Sequence, residues 1–303
     1  MDDVIVVAGL CKDYGPVRAV DDLTFTVAGG EVFALLGPNG AGKTTTVEIL
    51  EGHRDRTSGA VSVRGFDPAT GGRAYRERIG VVLQEAGFDE EFTVRELVSM
   101  YASLYPRRRD PGELIELVGL ADKADARTKT LSGGQRRRLD LALGLVGDPE
   151  LLFLDEPTTG FDPTARRRAW DLIASLRELG TTILLTTHYM EEAETLADRV
   201  ALIVAGKLVV MGTPASLVAQ DTAGAITFTL PPGVDPDALP AFAGPTQREG
   251  TSVVVRTTQP TADLLALTTW AVAANIELPD LTLSRPTLED VYLRLTGGLG
   301  GES

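Results

Sequence analysis

The run Gly37-Pro38-Asn39-Gly40-Ala41-Gly42-Lys43-Thr44 constrains this chain more than any other stretch. It follows Val32-Phe33-Ala34-Leu35-Leu36, an apolar run with the length and bounding of a buried strand, and it precedes a helical pattern over Thr45 to Leu50. Strand, glycine loop and helix, in that order, form the context in which G-x-x-x-x-G-K-[ST] cradles phosphate. The glycines let successive backbone N–H groups turn inward around phosphate oxygens, and the helix N-terminus adds its partial positive charge. A lysine at position 43 reaches the outer phosphates, and a hydroxyl at Thr44 holds Mg²⁺. An ordinary strand-to-helix turn would account for glycines alone, but not for every required position filled in sequence. The expectation is a nucleoside triphosphate site.

Composition narrows the rest. A chain of 303 residues suits one large domain or two ordinary ones, and 43% hydrophobic with 24% charged residues describes a globular protein with a sizeable core. No apolar run approaches the ~20 residues that cross a bilayer. Met1-Asp2-Asp3 lacks the basic segment and apolar stretch of a signal peptide, and a single cysteine, Cys11, allows no internal disulfide. Cytosol is the economical expectation. A formal net charge of −14 argues against a nucleic-acid partner. The runs Arg136-Arg137-Arg138 and Arg166-Arg167-Arg168 are local exceptions, each expected on the solvated or phosphate-adjacent face of a helix.

Val4 to Leu10 and Leu23 to Val27 read as strands, with Lys12 to Asp22 a turn-rich link between them. Tyr14 in that link either caps a sheet edge or stacks on a base. A strand at Ala60 to Val63, a basic helix at Arg73 to Ile79 and a strand at Gly80 to Leu83 follow, with Gln84 just beyond. Thr93-Val94-Arg95-Glu96 has the capping-box form, and Val94, Leu97, Val98, Tyr101, Leu104 and Tyr105 then recur with helical spacing. A second helix after Pro111 carries Leu114, Ile115 and Val118, so residues 87–131 read as a helical insert between α/β segments. Leu131-Ser132-Gly133-Gly134-Gln135 opens the next helix. Ser132 and Gln135 could form a capping box, yet glycine in a first turn is about 1 kcal/mol worse than alanine. That cost makes sense where bare N–H groups must approach an anion closely.

Leu151 to Leu154 is a fully apolar strand ending in Asp155-Glu156-Pro157. Such a pair can be no more than a solvated edge. In a sheet with a phosphate loop, however, acids at a strand's C-terminal end face the ligand crevice. Asp155 is then the natural Mg²⁺ partner, and Glu156 is placed to orient or deprotonate a water. A helix over Thr164 to Leu179 leads to a buried strand at Thr181 to Leu185 and to His188 on the same side; His53 reads as a surface residue. Val200 to Val204 and Lys207 to Val210 form a hairpin. Beyond Pro214 the character changes, and residues 213–303 hold 10 acidic and 4 basic residues with no phosphate loop. Their pattern is strand (Ala225 to Leu230), helix (Pro236 to Phe242), strand before Glu249, strand (Ser252 to Arg256), helix (Thr261 to Ala274), strand (Ile276 to Leu283) and a helix from Pro286. That order resembles the ferredoxin-like split β-α-β-β-α-β sandwich over 221–297, with 298–303 a flexible tail.

Together these residues resemble the ATPase subunit of an ATP-binding cassette (ABC) transporter over roughly residues 3–215. Gly37 to Thr44 match the family's Walker A loop, Gln84 its Q-loop, Leu131 to Gln135 its LSGGQ signature, Leu151 to Glu156 its Walker B strand, Gly160-Phe161-Asp162 its D-loop and His188 its switch histidine. Phe161 stands where leucine is usual, which keeps an apolar contact. The segments Leu131 to Ala142 and Pro286 to Tyr292 are similar to the daunorubicin-resistance group of type-2 exporters, which carry a small C-terminal domain.

The resemblance implies an α/β P-loop NTPase core over 1–215 with a helical insert, and a small α+β regulatory or dimerisation domain over 221–297. It implies ATP and Mg²⁺ as cofactors. Tyr14, Gly37, Pro38, Asn39, Gly40, Ala41, Gly42, Lys43, Thr44 and Thr45 would bind nucleotide. Ser132, Gly133, Gly134 and Gln135 would bind the nucleotide of a second copy in a head-to-tail homodimer. Thr44, Gln84 and Asp155 would attend the metal, and Glu156, His188 and Gln84 would serve hydrolysis. An integral-membrane permease would dock beside Gln84 and the helical insert on the cytoplasmic face, with drug or lipid export favoured over import. A soluble ATPase of translation or DNA maintenance would bring a second cassette or a long coiled coil. A kinase or GTPase would lack the Leu131 to Gln135 motif. An inactive scaffold would have lost some of Lys43, Asp155, Glu156 and His188.

Overall fold

The computed structural model describes residues 2–82, 87, 89, 91–219, 224–284 and 286–297. The chain forms two compact units, Met1–Pro214 and Ala215–Ser303. In the first the elements run β1 (Asp3–Tyr14), β2 (Val17–Ala28), β3 (Val32–Leu36), α1 (Lys43–Glu51), β4 (Ser58–Val63), α2 (Gly72–Arg76), β5 (Ile79–Val82), α3 (Val94–Ala102), α4 (Pro111–Leu117), α5 (Gly133–Leu145), β6 (Leu151–Asp155), α6 (Pro163–Glu178), β7 (Thr182–Thr187), α7 (Met190–Leu196), β8 (Arg199–Val204) and β9 (Lys207–Gly212).

Among the described residues one sheet has the order β5-β6-β7-β3-β8-β9, parallel throughout except for the antiparallel edge strand β9. Parallel strands covered on both faces need continuous apolar runs. Val32 to Leu36 and Leu151 to Leu154 supply them, every residue buried. A second sheet, β2-β1-β4, is antiparallel. One core joins the two sheets around α1, with Ile5, Val27, Phe33, Val47, Leu50, Phe153 and Ile203 among its members and Phe25 stacked on Phe33 at 5.5 Å. At ~1.5–3 kcal/mol per large apolar side chain buried, this core fixes the strand that launches the glycine loop.

Several expectations change here. Lys12 to Asp22 is mostly strand rather than a link: β1 and β2 pair from Tyr14 and Val17 inward, and only the residues between them turn. Val94, Leu97 and Val98 bury the face of α3 as expected, but the helix ends at Ala102 and Leu104 beyond it is 65% exposed. Leu114, Ile115 and Val118 are all buried. The helix expected at Arg73 to Ile79 closes at Arg76, because Ile79 already pairs with Leu151 in the sheet. Gln84 lies outside the described residues, as does the 298–303 tail.

After α8 (Pro214–Ala219) the second unit holds β10 (Gly224–Thr229), β11 (Thr246–Glu249), β12 (Ser252–Thr257), α9 (Pro260–Ala273), β13 (Thr282–Ser284) and α10 (Leu288–Gly297). The sheet order is β11-β12-β10-β13 with every neighbouring pair antiparallel. That is the strand order and direction of a split β-α-β sheet. The first crossover helix expected at Pro236 to Phe242 is a single 3₁₀ turn, Pro236–Ala238. Pro240 excludes Leu239 from the helical region, and the segment cannot propagate. The strand expected from Ile276 shrinks to Thr282–Ser284, since Asn275 and Asp280 both take positive φ and turn the chain.

Candidate functional site

Strands β6, β7 and β3 are neighbours, so their C-terminal ends deliver Asp155, His188 and the glycine loop to one edge. In the loop, Gly37 and Gly42 are required for internal reasons. Both have positive φ, and a Cβ on either would run into a backbone carbonyl oxygen, that of Ile203 and that of Ala19 respectively. Gly42 is the N-cap of α1 and provides no side-chain cap, so the first-turn N–H groups of Lys43, Thr44 and Thr45 are left for an external acceptor. Pro38 closes a turn by accepting from the Ala41 N–H at 3.1 Å. Asn39 and Gly40 are exposed on its outer side, Ala41 is buried, Thr44 is exposed and Thr45 half-buried.

The Lys43 ammonium, 5% exposed, donates to the carbonyl oxygens of Gly37 at 2.8 Å and Pro38 at 3.1 Å. Burial lowers its pKa, while the nearby carboxylates of Glu156 and Asp155 favour the charged form. The loop is therefore closed over a cation that two acids face.

Asp155 is half-buried, and its Oδ1 accepts from the Thr186 hydroxyl at 2.5 Å. Thr186 also accepts from the Glu156 N–H, at its own Oγ1 and at its carbonyl, both 3.1 Å away. Glu156 has φ 47, a left-handed turn that costs a non-glycine residue of order 1–2 kcal/mol and persists only where neighbours enforce it. That turn aims its side chain at His188, Nδ1 to Oε1 at 3.3 Å, and at Thr159, whose hydroxyl donates to Oε2 at 3.1 Å. A carboxylate and an imidazole so paired can orient a water and take its proton.

Among the described residues no three His, Cys, Asp or Glu converge to hold a metal. The oxygen donors at Asp155 and Thr44 are of the chemistry Mg²⁺ takes, one or two protein oxygens beside phosphate. Tyr14 is 40% exposed, with Lys12 Nζ 5.1 Å and the Arg54 guanidinium 5.4 Å from its ring centre.

At the start of α5, Ser132 and Gln135 form the reciprocal capping box: the Gln135 N–H donates to Ser132 Oγ at 3.3 Å and the Ser132 N–H to Gln135 Oε1 at 2.9 Å. The box uses the amides of Ser132 and Gln135, not those of Gly133 and Gly134. A Cβ on Gly133 would meet nothing within 4 Å, and one on Gly134 only the Ala165 methyl at 3.9 Å. These glycines open onto a cleft of about 560 Å³ that Gly160, Phe161, Asp162 and Arg168 also line. Asp162 itself caps α6, accepting from Thr164 and Ala165 N–H at 2.9 Å each.

Thr186 and Thr159 belong to this region and were not singled out in the sequence, and Arg137, which also belongs to it, was named there only as part of its arginine run. A threonine at the end of an otherwise apolar strand was the available signal for Thr186. Of the arginine runs, expected on solvated or phosphate-adjacent faces, Arg167 and Arg168 are exposed, while others make contacts within the chain. Arg138 donates to the Val118 and Gly119 carbonyls, and the Arg166 guanidinium lies 4.4 Å from the Tyr189 ring centre.

A glycine loop between β3 and α1, with carboxylates ending the nearby strand β6, defines a P-loop nucleoside triphosphatase. Residues 20–159 match the ABC transporter family, and residues 224–287 match the C-terminal domain of ABC transporter domain-containing proteins. The chain is 41% identical to a daunorubicin resistance ATP-binding protein of Streptomyces coeruleorubidus, over 98% of this chain and 96% of that one. It is 40% identical to the Nod factor export ATP-binding protein I of Rhizobium johnstonii, over 97% and 94%. Among solved structures it resembles an ATP-binding subunit of an ABC transporter (TM-score 0.65, 27% identity, 72% of this chain and 92% of that one). It also resembles cbiO1 of Clostridium perfringens, part of the cbiONQ complex (TM-score 0.65, 28% identity, 73% and 92%). The chain belongs to the ATP-binding subunits of ABC transporters, a family of ATPases.

Proposed function

We propose that two copies of this chain close head to tail over two Mg²⁺-ATP and drive an integral-membrane permease, from its cytoplasmic face, to export a drug-like or lipid molecule. The observation that carries the pairing is the contrast between the two sets of glycines. Gly37 and Gly42 are demanded by contacts within the chain, whereas Gly133 and Gly134 are demanded by none. An external anion approaching bare backbone explains residues that are costly in a first helical turn. The γ-phosphate held by the Lys43 of a second copy is such an anion.

When bound, Mg²⁺-ATP supplies the phosphoryl group and the metal's charge. The chain does the rest by position and electrostatics. Tyr14 stacks on the base. The loop from Gly37 to Thr45 (Pro38, Asn39, Gly40, Ala41 and Gly42 included) wraps the phosphates, and Lys43 brings its buried charge to the outer ones. Thr44, Asp155 and Gln84 would hold the metal. Glu156 would orient the attacking water or take its proton, and His188 would contact the γ-phosphate.

Export is favoured over import because the relatives named above are a resistance protein and an export protein. No helix among the described residues is long and apolar enough to cross a membrane. The second unit, with no nucleotide chemistry of its own, is assigned to holding or regulating the pair. Size-exclusion of the Glu156→Gln protein with and without Mg²⁺-ATP tests the pairing: an ATP-dependent shift to twice the mass is expected, and a monomer in both would overturn it. Co-purification from detergent-solubilised membranes tests the permease.

A further inference from the structure

Arg137 sits in a run of three arginines where a solvated or phosphate-adjacent face was expected, and its guanidinium turns under the corner that carries Glu156. Its Nη2 donates to the carbonyl oxygens of Asp155 at 2.9 Å and Glu156 at 3.4 Å, and its Nε donates to that of Pro157 at 3.2 Å. One planar fork thus gathers three successive carbonyls, a geometry that a lysine's point charge cannot reproduce. The gathered peptide includes the left-handed turn at Glu156, and on its other side Thr186 takes the Glu156 N–H. The corner is gripped from both faces, by β7 on one and by α5 on the other.

We infer that Arg137 is a positioning residue for ATP hydrolysis, fastening the signature helix α5 to the backbone corner that aims Glu156 at His188. Its other neighbours are acidic. Asp140, one turn further along α5, Asp155 and Glu192 of α7 all face it and favour its charge against burial. Asp140 and Glu192 are buried, each with one oxygen that has no hydrogen-bond partner among the described residues. Glu192 spends its other oxygen on the Thr158 hydroxyl at 2.8 Å and the Trp170 indole N–H at 3.0 Å. Arg137 therefore has two separable contributions, a positive charge for three carboxylates and a fork for three carbonyls.

The inference rests on the reading of Glu156 as the group that handles water, and the experiment separates the two. Arg137→Lys keeps the charge and removes the fork; Arg137→Gln removes both. The purified proteins are compared for melting temperature, ATP affinity and kcat, with Glu156→Gln alongside. Arg137→Lys is expected to melt and bind ATP like the wild type while kcat falls by up to about 10²-fold, the effect of a catalytic group displaced by roughly 1 Å. Arg137→Gln should show the same fall in kcat together with a lower melting temperature. Wild-type kcat in Arg137→Lys would overturn the inference, because charge alone would then suffice. So would a loss of ATP affinity as large as the loss of kcat, which marks general loosening of the fold. Retained turnover in Glu156→Gln would instead sink the reading of Glu156, whatever Arg137→Lys does.

Discussion

The imidazole Nδ1 of His188 stands 3.3 Å from Oε1 of Glu156, although the two residues leave the ends of different strands. Strand β7 ends at Thr187 and β6 at Asp155, and the register pairs Asp155 with Thr186. Glu156 lies one residue and His188 two residues past that pair, and the sheet itself sets their separation. Glu156→Gln keeps the shape and removes the proton acceptor. It should bind ATP normally, hydrolyse it about 10²–10⁴-fold more slowly and accumulate an ATP-bound pair. Steady-state turnover within a few-fold of wild type would show that another group handles the water.

Tyr14 stands at the tip of the β1–β2 hairpin with its ring flanked by Lys12 and Arg54. An exposed aromatic framed by two cations suits a base with phosphates nearby. Tyr14→Ala should weaken ATP and ADP alike, by about 1–3 kcal/mol on the scale of base stacking. Equal dissociation constants for mutant and wild type, by titration calorimetry, would leave the ring as a hairpin cap only.

Glu51 ends α1 in the core between the sheets, and burial, with help from the charges of Asp155 and Glu48, pushes its carboxyl up to about 8. Its Oε2 lies 3.1 Å from the Nδ1 of the exposed His53. A carboxyl that is harder to ionise folded than unfolded binds more protons in the native state. Stability must then fall as pH rises from the unfolded value near 4.5 towards 8. Glu51→Gln removes the ionisation at nearly constant volume. Its unfolding free energy should match the wild type near pH 4.5 and exceed it above pH 8, by roughly 2–4 kcal/mol at about 1.4 kcal/mol per pKa unit. A gain that does not grow with pH would refute the assignment.

The glycine loop, the acidic strand end and the signature glycines could be read from sequence because each is a local pattern whose chemistry needs adjacent residues. What brings Glu156 to His188 could not. Arg137 looks like one more surface arginine until α5 is laid against the end of β6, and Glu192 looks like part of a solvated acidic run beside Glu191 and Glu194 until α7 packs it onto Trp170. Such buried polar contacts join elements far apart in the chain, and neither periodicity nor spacing records them. The errors in the second unit have another origin. The order of elements read from the sequence put a helix at Pro236 to Phe242, and proline geometry overruled it.

The second unit supplies the last test. In α10, Leu288 and Val291 are buried, so that helix's apolar face is already covered. In α9, by contrast, Leu265 and Val272 are 67% and 79% exposed, seven residues apart and hence on one side of the helix. Two large apolar side chains on one exposed face form a surface that a second copy could cover. If the unit steadies the ATPase pair between turnovers, Leu265→Glu with Val272→Glu should leave ATP affinity and the melting temperature near wild type, since neither residue supports the core. The nucleotide-free protein should then dissociate at concentrations where the wild type remains paired, while the ATP-induced pair of the Glu156→Gln background survives. Sedimentation at matched concentrations measures both. Identical association of mutant and wild type without nucleotide would remove α9 from the pairing.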